Sequence, residues 1–169
     1  MTIEKEQLIT DTVSVKTKDI VKNKNIDGYL NYFLKKKYEG KCYQNGYVIP
    51  DSLKILQRSV GKIKTIDRMS YINYEVNYTI QSIIPSIDDI YECIIDSITK
   101  MGVVSYLNYK GEEDFEIKDS PLLFIIPKEY FDEEKIKTLK VQDKINVKVL
   151  DTRIKFMSKQ IQIIGEPVF

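Results

Sequence analysis

The sequence predicts an α+β chain, mostly β, in which one main helix lies on an antiparallel sheet and a small closed barrel follows. Period-two alternation dominates. Its longest run sets Ile72, Tyr74, Val76, Tyr78, Ile80 and Ile84 against Asn73, Glu75, Asn77, Thr79 and Gln81. So long an alternation means an antiparallel strand with one wet face. One segment has a strong helical period: Ile26, Tyr29, Leu30, Phe33 and Leu34 fall at i, i+3, i+4, i+7 and i+8. Beyond Pro85 the chain breaks into five or six short alternating runs, a number that suits a small closed barrel.

The first strand is expected over residues 8–15, where Ile9, Val13 and Val15 alternate with Thr10, Thr12 and Ser14. Asn25 is placed to cap the helix, and Lys35, Lys36 and Lys37 fall in its last turn, where the helix dipole favours cations. Gly40 closes it. Residues 41–49 and 53–63 read as strands separated by a Pro50-Asp51 turn. The long strand over 72–84 ends at Pro85-Ser86, the expected boundary between domains over 1–84 and 85–169. In the second domain residues 89–99 alternate, Met101-Gly102 reads as a bend or bulge, and 103–109 returns as a strand. A polar loop over 110–119 precedes a short strand at 122–126, bounded by Pro121 and Pro127. A turn with a short helix fills 127–137. Residues 144–150 alternate again, and a hairpin through Asp151-Thr152 leads to 153–156 and 160–164.

Composition removes several function classes. The 169 residues carry 26 Lys plus Arg against 25 Asp plus Glu, a net charge of +1, which excludes a histone-like binder driven by total charge. At 43% hydrophobic and 30% charged, the chain can build a core. The charged N-terminus is unlike a signal peptide, and no apolar run approaches the ~18–20 residues of a membrane span, so a soluble intracellular protein is expected. The count of histidines is 0, which removes the commonest general base, Ser-His and Cys-His nucleophiles and most zinc sites. Cys42 and Cys93 form no C-x-x-C pair and read as buried small hydrophobes.

No phosphate-cradling glycine loop is present. The clusters Asp88, Asp89, Glu92 and Glu112, Glu113, Asp114, Glu116 lack the spacing of a calcium loop and read as solvated. No catalytic residue, metal site or cofactor is therefore expected. Charge is nonetheless segregated: eight lysines lie between Lys16 and Lys41, acids dominate from Glu112 to Glu134, and seven lysines with Arg153 follow from Lys135 to Lys159. Basic side chains among aromatic rings on a small barrel are what single-stranded nucleic-acid binding uses. The candidate RNA-binding residues are Lys100, Tyr106, Lys128, Tyr130, Arg153 and Lys155.

The segment LKKKYEGKCYQNGYVI over residues 34–49 resembles the signature of the RNA polymerase stalk subunit family, that of the seventh subunit of eukaryotic polymerase II and the archaeal E-prime subunit. The positions that carry it are Glu39, Gly40, Cys42, Gly46 and Tyr47. LKILQRSVGKI over 53–63 is similar to the family's next strand and basic-glycine turn, and residues 74–85 to the strand joining its two domains. Residues 89–103, 122–131 and 145–165 resemble successive parts of an S1-type barrel. The resemblance runs through almost the whole chain from Leu8, in element order and short motifs.

The resemblance implies an N-terminal RNP-like tip domain over 1–84, docking on the polymerase core, and an S1-type OB-fold domain over 85–169. It further implies a non-catalytic subunit of a DNA-directed RNA polymerase, bound by the large subunits and by a smaller helical stalk partner, with nascent RNA contacting the barrel. Carried over by position, core docking falls on Tyr43, Gln44, Asn45, Gly46 and Tyr47, with a second contact at Ser59, Val60 and Gly61. Gly46 is expected to turn a loop, so that Gly46→Arg would abolish docking and spare the fold. The acidic stretch from Glu112 to Glu116 departs from the family and weighs against strong RNA binding. The bias to Lys, Ile, Asn and Tyr resembles polymerase subunits of large cytoplasmic DNA viruses, which implies a viral factory and virion location; a cellular member would be nuclear. The alternative from the residues is a free-standing S1-domain protein binding RNA in translation or decay.

Overall fold

The computed structural model describes residues 3–22 and 25–169. The chain divides into two units. One runs through Gly40 and continues with Val48–Ile83; the other combines Lys41–Tyr47 with Ile84–Phe169. The 41–47 segment, assigned from the sequence to the first domain, thus belongs with the second.

In the first unit, β1 (Glu4–Lys16) is followed by two helices, α1 (Thr17–Lys22) and α2 (Ile26–Tyr38). The Asn25 side chain accepts the Gly28 amide at 3.0 Å and caps α2, and Lys35, Lys36 and Lys37 occupy its last turn. Leu30, Leu34 and Tyr38 form the buried stripe of the helix. The Tyr38 ring stacks on Tyr78 at 6.3 Å, and its hydroxyl donates to Asp11 at 2.8 Å. The long strand, β6 (Met69–Ile83), is the centre of the sheet. It pairs with β1 from Tyr71 to Ile83 on one side, and with β4 (Lys54–Arg58) and β5 (Lys62–Ile66) on the other. Val13, Val15, Tyr74, Val76, Tyr78 and Ile80 are buried toward the helix side, as the alternation requires.

Two differences from the expected elements have a local cause. The strand expected over 53–63 is broken, because residues 59–61 leave the ladder between β4 and β5. The long strand also begins three residues early, at Met69, because Asp67 and Arg68 both adopt positive φ (49° and 64°) and close a two-residue hairpin between β5 and β6.

The second unit is a closed five-stranded barrel built from β7 (Ile90–Thr99), β8 (Gly102–Tyr106), β9 (Leu122–Pro127), β10 (Lys144–Arg153) and β11 (Ile161–Val168). The strand order is β10-β11-β9-β8-β7, all neighbours antiparallel except β9 and β11, which are parallel. This closure is compatible with an OB-fold. Its interior is filled by Cys93, Ile95, Val103, Phe124, Ile126, Ile145, Val147, Val149, Ile161 and Ile163. A short helix, α3 (Glu133–Thr138), bridges β9 and β10. β10 runs through Asp151 and Thr152 to Arg153, so the expected hairpin there is instead a longer loop over 154–160. The register shift between Val149 and Asp151 lets the strand bend and continue.

The same unit contains the hairpin β2 (Cys42–Tyr43) and β3 (Gly46–Val48) through Tyr47. Among the described residues no helix is long and apolar enough to cross a membrane.

Candidate binding surfaces

The β2–β3 hairpin turns at Gln44 and Asn45, whose φ values of 51° and 66° are those of a type I′ turn. Gly46 is therefore not the turn residue. It is the first residue of β3 and is buried beside Tyr47. An arginine at Gly46 would enter packed structure, so Gly46→Arg cannot separate docking from folding. Of the five residues expected to dock, Gln44 and Asn45 are exposed, Tyr43 is half-buried, and Gly46 and Tyr47 are buried. Burial, with smaller contributions from Tyr109 and Cys42, pushes the Tyr47 hydroxyl up to about 12.

The hairpin is stitched to the loop between β10 and β11. The Cys42 amide donates to the Ser158 carbonyl at 2.7 Å, and the Met157 amide donates to the Cys42 carbonyl at 3.0 Å. The Ser158 hydroxyl lies 3.3 Å from the Cys42 sulfur, and burial pushes that thiol pKa up. The result is a composite surface: Tyr43 meets Phe156 at 6.2 Å between ring centres, and Ile154 and Phe156 line a depression of about 310 Å³ with Cys42, Tyr43, Gln44 and Asn45. Phe156 is 65% exposed. A large ring held open to solvent by backbone bonds on both sides gives contact area at low entropic cost. Ile154 and Phe156, expected within a strand over 153–156, lie far along the chain from the hairpin, and no local pattern in the sequence brings them to it.

In the first unit, Val60 is 85% exposed. Ser59 is tied to β6: its amide donates to the Glu75 carbonyl at 2.8 Å, and its hydroxyl accepts the Glu75 amide at 2.9 Å. Gly61 is exposed, but a Cβ there would lie 2.4 Å from Ile72, so only glycine fits without a shift.

The six RNA-binding candidates do not form one site. Lys100 sits in the β7–β8 turn; Lys128 and Tyr130 follow β9, where the Lys128 amide donates to the Met101 carbonyl at 3.0 Å. Arg153 and Lys155 lie beside the start of β11, lining a depression of about 490 Å³ with Thr152, Ile154, Ser158, Gln160 and Gln162. Since β9 and β11 are parallel, with Ile161 opposite Leu122, these groups are at opposite ends of β9, about 17 Å apart along the strand.

Tyr106, expected to contact RNA, is closed off from solvent. It is 2% exposed, with its ring stacked on Phe115 at 6.4 Å and its hydroxyl donating to the Phe115 carbonyl at 3.3 Å, so no base can stack on it. The cause is the loop over 107–121. Tyr109 packs edge-on to Phe115 at 5.8 Å, the Ser120 hydroxyl donates to the Leu107 carbonyl at 2.8 Å, and the Gln160 side chain donates to the carbonyls of Ile117 and Ser120 at 2.7 and 3.0 Å. Tyr106 pairs with Leu123, and Val104 with Ile125, on the outer side of β8 and β9. Phe115 thus covers one end of that face, and the rest is aliphatic. The exposed Glu112, Glu113, Asp114 and Glu116 surround Phe115 in the chain.

Among the described residues no group of carboxylates or cysteines is arranged to hold a metal ion. No protein-family model matches the chain, and no curated protein is significantly similar to it.

Proposed function

We propose that this chain is a non-catalytic stalk subunit of a multisubunit DNA-directed RNA polymerase, docking on the core near the clamp and contacting the nascent transcript. In this reading the first unit is the RNP-like tip and the barrel is an S1-type OB-fold. The observation that supports it best is the order of parts. A sheet with one long helix precedes a five-stranded barrel closed by a parallel β9–β11 pair, the order that the resemblance over residues 34–63 and beyond requires. The exposed Phe156 ring, with half-buried Tyr43 beside it, fits a docking role, because the pair presents apolar area at the hairpin the resemblance marks. The large subunits carry the catalysis, a smaller helical partner completes the stalk, and this chain acts by binding and positioning.

The test is recovery of a C-terminally tagged chain from its native source, followed by mass spectrometry. The two largest polymerase subunits are expected with it. Phe156→Asp, at the exposed ring, is expected to cut that recovery by about 30-fold, the effect of losing an interface hot spot, with little change in melting midpoint. Recovery of RNA with ribosomal or decay factors, and no polymerase subunit, would establish the free-standing RNA-binding alternative instead.

A further inference from the structure

The outer β8–β9 face, where an OB-type barrel ordinarily takes an oligonucleotide, offers little to RNA in this chain. Phe115 covers Tyr106, Val104, Leu123 and Ile125 carry no charge, and carboxylates flank the covering ring in the loop.

The polar face of the first unit's sheet has the opposite chemistry. Register places Lys16 and Lys64 on either side of Tyr71, and Ser14 and Lys62 on either side of Asn73. Tyr71 and Asn73 have the opposite parity to buried Tyr74 and Val76, so these rows lie on the face away from them; exposed Glu75, the next residue of that face, bounds the cationic patch on the β4 side. Adjacent strands are about 4.8 Å apart, so the two lysines flanking Tyr71 start about 10 Å from each other, with the ring between them. Arg68 at the hairpin turn adds a further exposed cation. Lys16, Lys62 and Lys64 enter no ion pair among the described residues. The Ser14 hydroxyl donates to Asn73 Oδ1 at 2.7 Å, and the Thr10 hydroxyl to Asn77 Oδ1 at 2.8 Å, which keeps both asparagine amide groups as donors for a ligand.

We propose that this sheet face binds single-stranded RNA, with Tyr71 as the stacking ring and Lys16, Lys62 and Lys64 as phosphate contacts. An aromatic ring between cations on an open polar sheet matches bases and phosphates together. Exposed Ile66 and Met69 lie beside Tyr71 on this face; an acidic peptide would use the charges but has no need of the flat ring between them. That the strand is the nascent transcript rests on the polymerase reading; the RNA contact itself does not.

The test uses the full chain and a fluorescent oligouridylate of about 12 nucleotides, within the usual site sizes of ~4–16. Binding is expected at low salt. The double variant Lys62→Ala, Lys64→Ala should flatten the plot of log affinity against log salt by about 1.4, or about 0.7 for each lysine. Tyr71→Ala should weaken binding at least about fivefold, and Tyr71→Phe should restore it. Photo-cross-links from 4-thiouridine should map to residues 62–73 in the unaltered chain, a readout independent of how any variant folds. Cross-links confined to the barrel, loss of binding on Arg153→Ala with Lys155→Ala alone, absence of binding at low salt, or equal competition by polyglutamate would each overturn the proposal. Polymerase recovery by the tagged chain is scored separately, so failure of the sheet assignment leaves the stalk reading standing, and the reverse.

Discussion

Cys42 and Cys93 show how burial alone sets reactivity. Both are free and inaccessible, and desolvation pushes both thiol pKa values up, well above the usual range for Cys93. Neither is expected to react with iodoacetamide at neutral pH in the folded chain, while both label in urea; mass spectrometry of the intact protein reads the difference. Tyr47 makes the complementary point at alkaline pH. Its folded pKa is pushed up to about 12 from an ordinary 10, chiefly by burial, so the folded state holds the proton more tightly than the unfolded one. That contribution is complete below pH 10 and is lost as the pH rises toward 12. Tyr91 shifts in the same direction, by burial first and then by Asp89. Tyr47→Phe should therefore flatten the fall of the urea midpoint between pH 10 and 12. Phe115→Ala removes the ring that covers Tyr106 and is expected to cost about 3–5 kcal/mol. It should also raise the quenching of tyrosine fluorescence by acrylamide, as Tyr106 opens to solvent.

At the scale of elements, the hairpin turns were the least legible features. Gln44-Asn45 and Asp67-Arg68 close two-residue turns at positive φ without a glycine, and Gln and Arg do not announce such turns. Gly46 misled for the same reason: a glycine beside a turn is not always its pivot. Arg68→Gly should relieve a left-handed residue and stabilise the chain by about 1 kcal/mol in a urea titration. Gly102 is different. Its φ is 146°, and a Cβ there would meet the Ile126 carbonyl oxygen at 2.1 Å. The expected bend at Met101-Gly102 is thus a tight turn at Lys100-Met101 followed by a close β8–β9 approach. Gly102→Ala should cost at least about 3 kcal/mol, read as a large drop in melting midpoint, because backbone on two strands must move. The helix and the body of the long strand were legible, since α2 and β6 each carry a clear period over many residues, while the start of β6 was not.

For the whole molecule, near-neutral total charge conceals segregated patches. Lys16, Lys62 and Lys64 meet on one sheet face because register brings β1 and β5 to either side of β6. The two barrel groups, Lys100 with Lys128 and Arg153 with Lys155, are kept apart by the parallel pairing of β9 with β11. Alternation along the chain was enough to establish a mostly β protein with one principal helix and a small barrel, because burial on one face of a strand imposes a period of two whatever its partners are. Composition likewise removed histidine-based chemistry outright. Tertiary structure alone decided which side chains share a surface: Phe156 beside Tyr43, Phe115 over Tyr106, and lysines from remote strands around Tyr71. Those pairings depend on strand register and loop path, which arise from contacts between residues far apart in sequence, and no local period encodes them.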